Sequence, residues 1–289
     1  MPDFPIIDAH VHLYDPGVIR YGWMAGKPAF AGPHLMAELD AARGGVELAG
    51  LVFVEVDADP GQYLQEASYI AGQAARDPRI LGIVAHAPLE RGAAVTSDLE
   101  KLASHDLTCT IRRLLQDEPD PEFCLRPGFI EGIRLLARFD LAFDIGVRHH
   151  QLAGAIELVR RCPEVRFVLD HIAKPAIRDG LLEPWRSQIK ELSELPNVHC
   201  KLSGVITEAD HAHWTRDQLR PYLDHAIACF GFERLLYASD WPVSEQTHRY
   251  AEWVAILDEL SAACSPGERR QLFHDNALAA YRLEAHQQR

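Results

Sequence analysis

The chain has no closely spaced pair of cysteines. Its six, at positions 109, 124, 162, 200, 229 and 264, form no C-x-x-C, so neither a zinc ribbon nor a disulfide framework is expected, and buried reduced thiols are the favoured reading. No apolar run reaches the length of a membrane helix. The opening Met1–Asp8 lacks a basic segment followed by an apolar stretch, which predicts a cytoplasmic protein. Positive charge is scarce: 29 Lys and Arg against 42 Asp and Glu leave a formal charge of −13. That balance argues against nucleic acid or an anionic membrane as partner, though a small anionic substrate could still be held by a local basic cluster. No low-complexity linker or break in composition divides the 289 residues, so a single domain over 1–289 is expected.

What the sequence does have is repetition. Eight β-rich runs follow one another: Pro5–His10, Gly50–Val56, Ile80–His86, Thr108–Arg113, Leu141–Val147, Val165–Asp170, Val198–Leu202 and Arg234–Ser239. Most are nearly continuous in Ile, Val, Leu and Phe, as parallel strands buried on both faces require. Amphipathic stretches lie between them, among them Gln62–Arg76, Phe129–Arg138, Gln151–Arg161, Glu183–Leu195, Arg216–Phe230 and Arg249–Ala262. Eight alternations in a chain of this length predict a (β/α)8 TIM-type barrel, regular or distorted. An open dinucleotide-binding sheet fits less well, because no G-x-G-x-x-G follows the first strand. The Gly- and Pro-rich stretch Tyr14–Pro33 reads as a loop over the barrel mouth.

Chemistry-bearing residues cluster at the ends of these runs, where catalytic groups of a barrel sit. The first run ends in His10-Val-His12; residues two apart on a strand share a side, so both imidazoles can converge on one metal ion or one carbonyl oxygen. Spacing alone is weak evidence, since 15 histidines in this chain produce roughly one H-x-H by chance. A second copy, His211-Ala-His213, lies in a polar stretch and reads as solvated surface. The sixth run ends in Asp170-His171 and the eighth in Ser239-Asp240-Trp241-Pro242. An acid after mostly apolar residues is costly inside unless it meets a metal, a cation or a histidine. Arg112 or Arg113, His149 or His150, Lys201, Glu55 and Asp57 also stand at strand ends, and strands buried on both faces hide which member of each adjacent pair points inward. His86 is intermediate, while His34, His105, His199, His225, His248, His274 and His286 read as surface or helix-face residues.

Taken together, the segments I-I-D-A-H-V-H-L, T-I-R-R-L-L-Q, R-H-H-Q-L, F-V-L-D-H-I-A-K-P, C-K-L-S-G-V-I-T-E-A and Y-A-S-D-W-P-V resemble the sugar-lactonase branch of the amidohydrolase superfamily, over residues 6 to 243 and in the same order. The resemblance implies a carboxylic ester hydrolase whose reaction centre maps onto His10, His12, His171 and Asp240, with the strand-four arginine matching Arg112 best. Strand four lacks the Lys or Glu that bridges two metals elsewhere in the superfamily, so a binuclear centre is not expected. The implied cofactor is one divalent ion, Zn²⁺ first among candidates, held by His10, His12 and Asp240. Because the branch also includes members that work without metal, a metal-independent centre stays open.

The reaction expected on this basis is opening of a sugar-acid lactone, a small-molecule partner, in the service of carbohydrate catabolism. Asp240 would act as base, His171 and Arg112 would stabilise the oxyanion, and the sugar hydroxyls would meet His149, His150, Lys201, Glu55 and Trp241. The alternative is a metal-dependent decarboxylase of the same superfamily, acting on an aromatic or unsaturated acid.

Overall fold

The computed structural model describes residues 1–283. Eight parallel strands follow one another in chain order around a nearly closed barrel: β1 (Ile6–Val11), β2 (Leu48–Val54), β3 (Ile80–His86), β4 (Thr108–Arg112), β5 (Ala142–Ile145), β6 (Phe167–Leu169), β7 (Val198–Leu202) and β8 (Leu235–Tyr237). All eight expected runs become strands. The ladders of β2, β4, β5, β6 and β8 stop short of the C-terminal ends of their expected ranges. Between β8 and β1 the barrel closes just beyond the strands, where Asp240 N donates to His10 O at 3.0 Å and His12 N to Trp241 O at 2.8 Å.

Six helices occupy the expected amphipathic stretches: α2 (Tyr63–Ala74), α4 (Pro127–Leu136), α5 (Leu152–Arg161), α6 (Trp185–Ser193), α7 (Arg216–Phe230) and α8 (Tyr250–Leu260). Four more were not expected: α1 (Met36–Ala42), α3 (Thr96–Ala103), α9 (Pro266–Arg270) and α10 (Asn276–Tyr281). Each is so short that a 3.6-residue period barely repeats within it. Among the described residues no helix is long and apolar enough to cross a membrane.

The core has two layers. Phe53, Ile111, Phe143, Phe167 and Leu202 face the helices, whereas Ile7, Val52, Val84, Val168 and Leu236 fill the lumen. Ala277, Ala280 and Tyr281 of α10, with Leu283, belong to the lumen cluster and plug the end of the barrel where the strands begin. The stretch 14–33 folds into two short helical turns, Gly22–Met24 and Pro28–Phe30. It is pinned where Tyr14 and His34 exchange backbone hydrogen bonds of 2.9 and 2.8 Å.

Candidate active site

Along β1 the register slips between Asp8 and Val11, which pair with Leu51 and Phe53. Ile7 and Ala9 already point into the lumen, and the extra residue brings His10 and His12 round to the same side. Asp8 holds this bulge against β8. One carboxylate oxygen accepts the amides of His10 (3.1 Å) and Ser239 (2.9 Å), the other the Tyr250 hydroxyl (2.9 Å). Burial pushes the Asp8 carboxyl up to about 6 despite these bonds.

His10, His12, His171 and Asp240 come together above the lumen. Asp240 Oδ1 is 3.3 Å from His12 Nε2, 3.6 Å from His10 Nε2 and 3.8 Å from His171 Nε2. Asp240 Oδ2 is buried without a hydrogen-bond partner. Asp240 sits at φ +62° and His171–Lys174 run at φ +53°, +46°, +61° and +46°, left-handed conformations costly for residues with a Cβ. Gly204, at φ +60°, passes so close that a Cβ there would lie 2.8 Å from the His171 ring. Burial lowers the His171 imidazole to about 4 and holds His10 well below its ordinary value, so both rings are neutral at pH 7. Burial also raises Asp240, but His171 and the bond to His12 more than offset it and keep the carboxylate well below the usual range.

The donors fit one divalent ion. His12 Nδ1 donates to Val54 O at 2.9 Å, which leaves a lone pair on Nε2. The three candidate ligand atoms, His10 Nε2, His12 Nε2 and Asp240 Oδ1, are 3.1, 3.3 and 3.6 Å apart. Zinc bonded at about 2.0–2.1 Å in a tetrahedron spaces its ligands by about 3.3–3.4 Å. His10, Asp170 and His171 form a second overlapping group of potential ligands.

Below these residues lies a buried charge lattice. Arg112 Nε donates to Glu55 Oε1 at 2.6 Å, Nη2 to Glu55 O at 2.7 Å and Nη1 to Asp170 Oδ2 at 3.2 Å. Lys201 Nζ lies 2.6 Å from Asp144 Oδ2 and 2.8 Å from Asp170 Oδ1.

A cleft of about 400 Å³ opens over the centre, lined by His12, Arg112, His171 and Asp240 from the strand ends and by Tyr14, Trp23, Lys27 and Phe30 from the stretch 14–33. This settles the adjacent pairs. Arg112 lines the cleft, while Arg113 turns away to Glu90 (3.3 Å) and Glu118 (2.5 Å). Neither His149 nor His150 lines it; Arg148 does, because the chain turns just after β5. Glu55 and Lys201, expected at the mouth, are wholly buried beneath it and occupied by ion pairs. Trp241 is 1% exposed and packs on His34 rather than lining the cleft. His248, expected on the surface or a helix face, is buried with Nε2 unpartnered. Asp57 does line the cleft. Among the polar residues of the lining, Lys27, Gln116, Asp117, Arg148, Lys174 and Gln246 were missed. Lys27, Gln116, Asp117, Arg148 and Lys174 lie between regular elements and Gln246 ends a short helical turn; Gln116, Arg148 and Lys174 fall within the runs T-I-R-R-L-L-Q, R-H-H-Q-L and D-H-I-A-K-P without being singled out themselves.

A family model described as Amidohydrolase matches residues 7–283. The chain is 33% identical over 287 residues to L-fucono-1,5-lactonase of Burkholderia ambifaria, covering 96% of each chain. An amidohydrolase from Burkholderia multivorans, solved with bound Zn, superposes with a TM-score of 0.86 at 28% identity, over 96% of this chain and 99% of that one. The 2,6-dihydroxybenzoate decarboxylase from Rhizobium, with a TM-score of 0.62 over 97% of this chain and 99% of its own, is 14% identical and shares the fold alone.

Proposed function

The chain belongs to the amidohydrolase family, and from that premise we propose that it opens the lactone ring of a sugar acid by adding water across the ring ester. The observation that carries this reading is Asp240. One oxygen lies among three imidazoles and the other is buried and unpartnered, the arrangement of a base held ready for a water molecule. The lactonase relative and the cleft, large enough for a small sugar-acid lactone, support it.

Asp240 takes a proton from the attacking water as its oxygen bonds to the carbonyl carbon, and returns that proton to the departing ring oxygen. The buried Ser203 hydroxyl lies 2.8 Å from His171 Nδ1; with Ser203 as the donor, His171 carries its proton on Nε2 and offers that N–H to the developing oxyanion. Arg112, fixed by Glu55 and Asp170, lines the same cleft and adds its positive charge to the stabilisation of that oxygen. Arg148, Lys174, Gln116 and Gln246 meet the rest of the substrate at the mouth. His10, His12 and Asp240 would hold one divalent ion, zinc in the first instance, which when bound would supply Lewis acidity toward the carbonyl or the water.

A pH-indicator assay over a panel of aldonic-acid lactones, with and without chelator and with metal content measured, tests this. Acid release without CO2 is expected. Release of CO2 from an aromatic acid, with every lactone untouched, would overturn it.

A further inference from the structure

Within the charge lattice one nitrogen faces two partners of opposite kind. His10 Nδ1 lies 3.2 Å from Lys201 Nζ and 3.3 Å from Asp170 Oδ1. An ammonium only donates and a carboxylate only accepts, so each partner supports a different tautomer of the ring. The three N–H bonds of Lys201 have three neighbours, Asp144, Asp170 and His10. Asp170 Oδ1 touches Nζ at ion-pair distance but outside hydrogen-bond geometry. It is buried with no hydrogen bond of its own, which leaves it able to accept from His10.

The other side of the ring separates the two forms. His12 has committed its Nδ1–H to Val54 O, so its Nε2 presents a lone pair to His10 Nε2 at 3.1 Å. When Lys201 donates to Nδ1, His10 carries its proton on Nε2 and gives it to His12, making hydrogen bonds of 3.2 and 3.1 Å. When Nδ1 carries the proton, it is given to Asp170 at 3.3 Å and two lone pairs oppose each other, relieved only by Arg112 Nη1 at 3.5 Å. The first form suits the centre without an ion, the second a centre whose lone pairs share a cation.

We propose that Lys201 and Asp170 are positioning residues that set the tautomer of His10: Lys201 stabilises the metal-free ring with Nε2 protonated, and Asp170 the ion-holding ring with Nδ1 protonated. The proposal rests on reading His10, His12 and Asp240 as a single-ion site. Net protonation of His10 is the same in both forms, so ion uptake releases no proton from it.

The test is nitrogen NMR of the full chain labelled with ¹⁵N-histidine, with His10 assigned from the signal lost in His10→Gln. In excess chelator the Nε2 resonance should sit at the protonated, pyrrole-like position and Nδ1 at the pyridine-like one. Zn²⁺ should exchange those characters. Nδ1 protonated in the chelated protein would overturn the proposal, as would zinc uptake without a change at Nδ1. In Lys201→Met the chelated ring should move its proton to Nδ1, and retention on Nε2 would remove Lys201 from the role. If Lys201→Met fails to fold, the chelated wild-type spectrum still decides. Failure of the chain to take up any zinc would sink the single-ion reading and the Asp170 half of the proposal, while the chelated spectrum still judges Lys201. Lactone turnover, measured separately, judges the hydrolase reading independently of either result.

Discussion

His10 on β1 and His12 just beyond it share one spacing with His211 and His213 after β7, yet their surroundings have nothing in common. The first pair is buried, its Nε2 atoms 3.1 Å apart beside Asp240. In the second pair His211 Nε2 bonds to Thr207 O at 3.0 Å and His213, with 83% of its side chain exposed, lies against Asp210. What separates the pairs is the backbone beneath. A strand bulge, latched by Asp8, aims two rings inward and parks each Nδ1 against a partner, whereas a surface turn splays its rings apart. Spacing becomes a site only where burial removes water as a competitor and a third group supplies charge.

The largest effect expected on breaking this contrast is at the buried centre. Asp240→Asn should lower kcat/KM by about 10²–10⁴, the usual worth of a positioned base, with the melting temperature little changed; retention of more than a tenth of the activity would refute the role. His12→Ala should cut zinc affinity by more than the roughly 10–100-fold typical of losing an outer partner, read by competition with a chromophoric chelator. One layer down, Glu55→Ala leaves the Arg112 guanidinium buried with Asp170 as its remaining carboxylate partner. It should cost about 3–5 kcal/mol in denaturant unfolding, as removing one member of a buried pair does. At the surface copy, His211→Ala with His213→Ala should shift stability by no more than about 0.5 kcal/mol, as exposed substitutions do, and leave zinc affinity as it was. A loss of metal there would erase the distinction between the pairs.

Much of the barrel was legible in the sequence because parallel strands announce themselves as uninterrupted apolar runs, and the four central residues because each follows such a run. Parity was not legible. Strands buried on both faces do not show which of Arg112 and Arg113 points inward, and the bulge in β1 follows no compositional signal. Depth was hidden as well: Glu55 and Lys201 read as mouth residues because a charged side chain in a barrel wall is improbable unless oppositely charged neighbours surround it. Those neighbours, Arg112 for Glu55 and Asp144 and Asp170 for Lys201, come from other strands or strand ends, and only the closed barrel brings them together. Lys27 and Arg148 lie on loops, and Gln246 on a short helical turn, whose course depends on what they pack against.

Tyr281 in α10 plugs the barrel and gives its hydroxyl to Asp144 Oδ2 at 3.1 Å; Asp144 in turn holds Lys201 beside His10. His10 is thus braced, through Lys201 and Asp144, by a residue that follows all eight strands in chain order. A ribosome-bound fragment can display all four central residues while its barrel floor is still missing. A chain that stops before α10 is therefore a scaffold without its keystone, and competence should appear abruptly once that helix is present instead of growing strand by strand.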